Sequence, residues 1–442
     1  MRFVSARRLL KTTSFLMAAR IFGTGLGFLI QLALVRLMTA ADYGVYVVAM
    51  SLAAVLSIFC AFGFPSVTAR FVSLYQEQGD TASVAGFIGA GQRHVFALSL
   101  LVAGLGGLLI FATGLVSEPF QFPLFLACLT APVLAMMRFN GALSNIARRF
   151  YLTYLPDMTL RPVLLVLGLA ILFMIGPHIT STLVLLVHFG AALVACLVLW
   201  VVLRPRHQFG VRGVVPAVKN DVWRRAAFPM LFVTLLTSFL ADIDILMMGL
   251  LLPAEDVGLF SVCLRIMLLV EFGIQTVFQM SAPDLSEAQA RGDSHGMALA
   301  FRRAQHVTLL FAIASFGGVF LLGEWILVLF GDGFVAGYPA LLILVLGQVV
   351  RSAFGPVTQT LTAAGQQMRS LYSYGAAFVV LVVGNALIVP TFGVAGAAGV
   401  LIVTLVLGSA LQARAVFVKL GISVLRTLAS RQPEIGSVAE SR

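Results

Sequence analysis

Charged side chains are scarce in this sequence: Asp, Glu, Lys and Arg together make up 11% of its 442 residues, against 60% hydrophobic residues. A soluble domain carries about twice that charged fraction, which excludes a water-soluble enzyme or binding module. Lysine is nearly absent. Lys11, Lys219 and Lys419 follow Leu, Val and Val. A Walker A loop needs Gly directly before its Lys, so there is no P-loop, and no polar segment is long enough for a nucleotide-binding domain. The four cysteines, Cys60, Cys128, Cys196 and Cys263, lie far apart inside apolar segments with no CxxC. They read as small core residues rather than a disulfide framework or a zinc site. The six histidines form no HExxH or similar spacing, so neither a metal nor a cofactor is expected. "GTGLG" at 23–27 follows no strand and sits in an apolar run, which suits close helix packing better than a dinucleotide loop.

What the sequence has in abundance is apolar length. Stretches of twenty or more residues recur from end to end, enough to cross a hydrocarbon core of about 30 Å as helices. The pattern predicts an all-α polytopic membrane protein with about twelve crossings, near 12–37, 43–67, 86–114, 120–146, 154–175, 180–203, 222–250, 257–280, 301–328, 336–364, 370–390 and 394–417. The opening "MRFVSARRLLK" resembles a signal-peptide n-region, but Arg20 interrupts the following run and no small-residue cleavage site follows, so an uncleaved first helix is expected. The net charge of +11 is segregated. Arg2, Arg7, Arg8 and Lys11, the Arg204–Arg225 connection, and the tail lie on one side, while Asp42, Glu118, Glu255, Asp256, Glu324 and Asp332 lie on the other. By the positive-inside rule both termini are then cytoplasmic. The positive charge reports topology, and no nucleic acid is needed to explain it.

The chain also repeats itself. "AADYGVYV" (40–47) returns as "AEDVGLFS" (254–261) at an offset of 214, pairing Asp42 with Asp256 and Gly44 with Gly258. "SLYQEQGD" (73–80) returns as "SEAQARGD" (286–293) at 213, Gln92 falls on Gln305, and Arg138 of "AMMR" falls on Arg351 of "QVVR". An internal repeat of about 200 residues follows. With six crossings in each half, the two lobes form a parallel repeat, with a substrate site expected between them. The expected divisions are 1–206 for the first lobe, 207–221 for a basic linker, 222–420 for the second lobe and 421–442 for a disordered tail. The Gly of each Asp–x–Gly element is expected to permit a tight turn and the Asp to cap the next helix.

These stretches carry a resemblance. "LALVRLMTAADYGVYVVAMSLAAVLSIFCAFGF", "ADIDILMMGLLLPAEDVGLFSVCLRI", "SAPDLSEAQARGD" and the late "PTFGVAGAAGV" resemble the polysaccharide and O-antigen flippase family. That family belongs to the multidrug/oligosaccharidyl-lipid/polysaccharide exporter superfamily. The resemblance implies two six-helix lobes around a cavity in a bacterial inner membrane. It implies flipping of undecaprenyl-diphosphate-linked oligosaccharides by alternating access, for exopolysaccharide, capsule or O-antigen assembly, with a polysaccharide polymerase as partner. It also implies basic residues lining the cavity, especially in the first helix, which Arg20 matches.

Charge inside the crossings offers an independent reading. An Arg at a helix centre costs roughly 2.5–3.5 kcal/mol on insertion scales, so such groups should face water or an acid. Arg20, Thr24 and Gln31 share a face of the first helix; Gln348, Arg351, Gly355 and Gln359 share a face of the tenth. Both read as walls of a wet cavity, or as interhelical hydrogen bonds. Arg138 and Arg351, equivalent in the repeat, make a candidate diphosphate clamp because guanidinium binds phosphate oxygens in a bidentate way. Asp157 and Arg161 read as a local ion pair, and Asp244 with Arg265 as a structural pair or an ion-coupling site. Glu271, deeper and without an evident partner, is the candidate for coupling to ion movement.

Three other readings compete. A cation-coupled multidrug exporter of the same superfamily would favour acidic cavity walls, whereas these walls are mainly basic. A membrane polymerase or ligase acting on lipid-linked sugars would be expected to have substantial periplasmic loops, and these are short. A lipid II flippase typically carries two further helices.

Overall fold

The computed structural model describes residues 23, 25–112, 117–176 and 178–429, and among them there is no strand. The chain forms two compact units, Met1–Leu246 and Met247–Arg442. The first contains α1 (Gly25–Leu37), α2 (Ala40–Ala61), α3 (Phe64–Glu77), α4 (Thr81–Ala112) and α5 (Glu118–Ile146). It continues with α6 (Phe150–Leu155), α7 (Arg161–Ile175), α8 (Ser181–Leu203), α9 (Pro205–Gln208) and α10 (Asn220–Ser238). The helix α11 (Leu240–Leu251) carries the chain into the second unit, built from α12 (Ala254–Ala290), α13 (Ser294–Val328), α14 (Tyr338–Ala353), α15 (Val357–Ala363), α16 (Gln367–Leu420) and α17 (Val424–Ala429).

Among the described residues nine helical segments are long and apolar enough to cross a membrane, and α10 with α11, bent by 75°, makes a tenth. One of the nine, α16, bends at Gly393, whose φ of 55° and ψ of −138° are not helical, and so holds the last two expected crossings. With α1, this accounts for the twelve-crossing pattern. It is a multi-pass membrane protein.

The repeat reappears as local geometry. After α3, Gly79 takes a left-handed φ of 69°, Gly79 N–H donates to Gln76 and Asp80 N–H donates to Tyr75. After α12, Gly292 takes φ 66°, with Gly292 N–H on Gln289 and Asp293 N–H on Ala288. Both are Schellman stops, which favour Gly because no Cβ opposes the left-handed turn. Each following Asp then caps the next helix: Asp80 Oδ1 accepts from Ser83 N–H at 2.9 Å and Asp293 Oδ1 from Gly296 N–H at 2.8 Å.

The other repeated element differs from expectation. Asp42 is not the N-cap of α2. Thr39 is, accepting from Asp42 N–H at 3.1 Å while its hydroxyl donates to Asp42 Oδ2 at 2.9 Å. Asp42 sits three residues into the motif, like the acid of a capping box, and its other oxygen accepts from Ser181 N–H at the start of α8. In the second unit Pro253 is the N-cap and Asp256 falls at the same third position. Gly44 and Gly258 are buried within helix rather than in turns, where a missing side chain lets neighbours approach.

The connection before α10 is bound to the first unit. Ala217 N–H donates to Ala82 C=O at 2.9 Å, and a Cβ on Gly86 would lie 2.0 Å from Ala217 C=O. Trp223 is fully buried, its indole N–H donating to Tyr75 Oη at 3.0 Å, and Lys219 reaches both Asp80 (3.3 Å) and the Tyr75 ring (4.9 Å). Hydrogen bonds from the Ser83 hydroxyl and amide, with Lys219 beside them, hold the Asp80 carboxyl below its ordinary range. That contribution is therefore present above the unfolded value of about 3.9 and is lost as pH falls through the lower folded value. Asp80→Asn should speed amide hydrogen exchange across 207–219 at pH 7, after correction for intrinsic rates. The wild type should approach the variant as pH drops below about 4.

Candidate functional site

The first unit encloses a cavity of about 530 Å³. Its floor is one face of α5, where Leu134, Arg138, Gly141, Ala142 and Asn145 recur at helical spacing. Gly141 and Ala142 are too small to fill the space that Arg138 and Asn145 border. The wall opposite comes from Met50, Ala54 and Ile58 of α2 and from Pro65 and Ser66 of α3. The remaining wall, Pro156–Arg161, is a π-helical turn in which Arg161 N–H reaches back to Pro156 C=O. Two prolines explain it. Pro162 has no N–H to offer the Met158 carbonyl, and Pro156 none to offer the preceding turn, so the helix widens between them. The wide turn brings both Asp157 and Arg161 to the cavity, joined at 2.9 Å. The expected local pair is present, and it also lines the site.

Asp157 is thereby occupied, and Arg138 has no carboxylate within ion-pair distance among the described residues. Its guanidinium lies 4.8 Å from the centre of the Phe239 ring and is exposed towards the open space. Cation–π contact stabilises the charge without neutralising it, leaving its N–H donors for an anion.

The equivalent arginine of the second unit is held differently. Arg351 on α14 donates to Glu271 Oε1 on α12 at 2.5 Å, and both side chains are mostly buried, 16% and 23% exposed. Gln275 adds a further hydrogen bond to Glu271. Glu271, expected to stand alone, is thus one half of an ion pair whose other half lies 80 residues away.

The remaining candidates separate. Gln31 accepts from Tyr43 Oη at 2.9 Å, tying α1 to α2. Gln348 is fully buried, its amide donating to Met267 Sδ at 2.8 Å, and belongs to the α12–α14 contact. Gln359 is half-buried on α15. The polar stripe expected on one helix from Gln348 to Gln359 spans two. Gly355 turns left-handed at φ 70° before Pro356, which separates α14 from α15. Asp244 is fully buried on α11, and Arg265 is half-buried on α12. Arg20 and Thr24 lie outside the described residues. Gly23 is described, and a Cβ there would lie 3.2 Å from that of Met158, so this position lies against the π-helical wall. Asn145, Asp157 and Phe239 were not anticipated as site residues. The i, i+3, i+7 spacing of Arg138, Gly141 and Asn145 was the available signal.

The sequence matches the family described as polysaccharide biosynthesis protein over residues 9–289, which is well over half its length. The chain belongs to that family. Residues 229–387 also match the MatE family. No curated protein aligns with it significantly. Solved structures share the fold. The lipid II flippase MurJ in an inward closed conformation superposes with a TM-score of 0.71 at 14% identity, covering 93% of this chain and 90% of that one. A multidrug resistance MATE family transporter of the MOP superfamily, inward-facing, gives 0.69 at 13% identity, covering 91% and 99%. A MOP superfamily transporter from Pyrococcus furiosus, described as having a binding pocket of reverse polarity, gives 0.55 at 13% identity, covering 93% and 95%. At such identities the likeness establishes the fold of a family member and nothing finer.

The Arg351–Glu271 pair yields a stability test. Arg351→Met strands a buried carboxylate and should cost about 3 kcal/mol or more. Adding Glu271→Gln should recover most of the lost melting temperature in detergent, because no uncompensated charge remains.

Proposed function

We propose that this family member moves diphosphate-linked oligosaccharide repeat units on a polyprenyl lipid from one membrane face to the other by alternating access. The observation that carries the reading is Arg138: a guanidinium without a carboxylate partner, facing a cavity of about 530 Å³, in a chain of the polysaccharide biosynthesis family. A diphosphate supplies the missing charge and matches the planar donor fork. In this scheme Arg138 is the primary phosphate ligand, Asn145 and Ser66 offer hydrogen bonds to the sugar, and the polyprenyl tail stays in lipid. Arg20 remains a candidate second ligand.

Arg351 takes a different role from the clamp that the repeat suggests. Committed to Glu271, it is a structural charge of its own lobe and is released to substrate only if that pair opens. The setting is a bacterial inner membrane with both termini cytoplasmic, as the charge distribution predicts. A polysaccharide polymerase would consume the delivered unit. The MatE match keeps a multidrug exporter in view, but two arginines, Arg138 and Arg161, line the cavity against Asp157, which Arg161 already pairs, so its walls favour an anion over a cationic drug.

The test uses proteoliposomes holding a fluorescent undecaprenyl-diphosphate oligosaccharide and a quencher added outside. Wild type should expose the probe, Arg138→Gln should slow it at least about tenfold, the effect expected when a charge-assisted contact is removed, and Arg351→Met/Glu271→Gln should retain most activity. Transfer unaffected by Arg138→Gln would remove Arg138 from the mechanism. No transfer by wild type, together with ion-driven efflux of a cationic dye, would move the protein to the exporter class.

A further inference from the structure

The end of α8 carries a second group of cations that the Arg138 cavity does not use. The helix finishes in an apolar run whose Leu197, Val198, Trp200, Val201 and Val202 are all exposed, as expected of a surface facing lipid. At Arg204 the chain turns sharply. This residue takes a left-handed φ of 41°, unusual for a side chain with a Cβ, and its Nε donates to Val201 C=O at 3.1 Å. The turn folds α9 back and opens two recesses that share Val201, Arg204 and His207. One, of about 430 Å³, is bordered by Arg149; the other, of about 640 Å³, by Arg212, Gln92 and Trp200.

Neither recess has a carboxylate in its lining, and Arg149, Arg204 and Arg212 make no ion pair among the described residues. Topology alone accounts for arginines beyond the end of a crossing. It does not account for three of them converging, unpaired, on recesses that run directly onto exposed apolar side chains.

We propose that the two recesses form a binding site for the phosphate headgroup of an anionic phospholipid such as phosphatidylglycerol or cardiolipin. Arg204 stands between the recesses and contacts phosphate from either side, Arg149 and Arg212 complete the charge, and the acyl chains lie along Val201 and Val202. Trp200 sits at headgroup level, where an indole with one polar edge is stable. The arrangement of basic pocket, interfacial aromatic and apolar track suits a lipid better than a free anion, which has no use for the track. A polyprenyl diphosphate shares the phosphate chemistry, so the experiment must separate the two. The inference is independent of transport.

The full chain is purified in mild detergent from membranes containing phosphatidylglycerol and phosphatidylcholine, and retained lipid is read by native mass spectrometry. Wild type should retain phosphatidylglycerol preferentially. Arg149→Gln/Arg204→Asn/Arg212→Gln should weaken retention about a hundredfold, with Asn chosen because it tolerates the left-handed turn. Arg149→Gln/Arg212→Gln, which leaves that turn intact, should show a smaller loss in the same direction. Arg70→Gln/Arg93→Gln/Arg225→Gln, removing as many exposed charges elsewhere, should retain lipid like wild type. Equal loss in the two triple variants, equal retention of the two lipids, or no loss in the site variants would overturn the proposal. Displacement of the lipid by farnesyl diphosphate or inorganic pyrophosphate at equimolar concentration would also overturn it, assigning the recesses to a diphosphate instead.

Discussion

A guanidinium cannot shed its proton to enter hydrocarbon, so every arginine within a crossing must find water, an acid or a ring. The chain meets this constraint at two positions equivalent in its repeat, and solves it in two ways. Arg351 is neutralised by Glu271 within the second unit, while Arg138 is left charged against Phe239 and open to a cavity in the first. The two positions thus differ in surroundings: one arginine is paired with an acid, and the other lies against a ring and borders open space.

The lining of the first unit's cavity leaves open space beside that guanidinium. Small residues on α5 leave the space, and prolines at 156 and 162 widen a turn so that Arg161 takes up Asp157 rather than leaving it to Arg138. The connection leading to α10 is fixed to α3 and α4 through Trp223, Lys219 and Ala217, so α10 remains part of the same body. Beyond it the chain bends by 75° before passing to the second unit. The fold is preserved at 13–14% identity to MurJ and MATE transporter structures, so the helical framework tolerates wide change in sequence.

Much of this was legible in the sequence. Apolar length and charge segregation predicted the crossings, and the repeated "QGD" and "RGD" endings marked equivalent positions, where the structure shows the same local device, a Schellman glycine followed by a capping Asp. The errors arose where geometry is decided by more than neighbouring residues. The Asp42 motif was misplaced by three residues because Thr39, outside the repeated string, supplies the cap. Gly355–Pro356 broke a stripe that periodicity alone extended through it. Glu271 found Arg351 across a helix pair that spacing cannot reveal, and the same holds for Phe239 beside Arg138.

The central claim, that Arg138 gives the cavity of the first unit a net positive field, can be measured at Ser66, which lines the cavity and is exposed. The four native cysteines are buried and provide a low background for thiol labelling. With Ser66→Cys, a negatively charged methanethiosulfonate should react several-fold faster than a positively charged one of similar size, and Arg138→Gln should abolish the preference. Equal rates for the two reagents with Arg138 in place, or a preference unchanged by Arg138→Gln, would contradict the account.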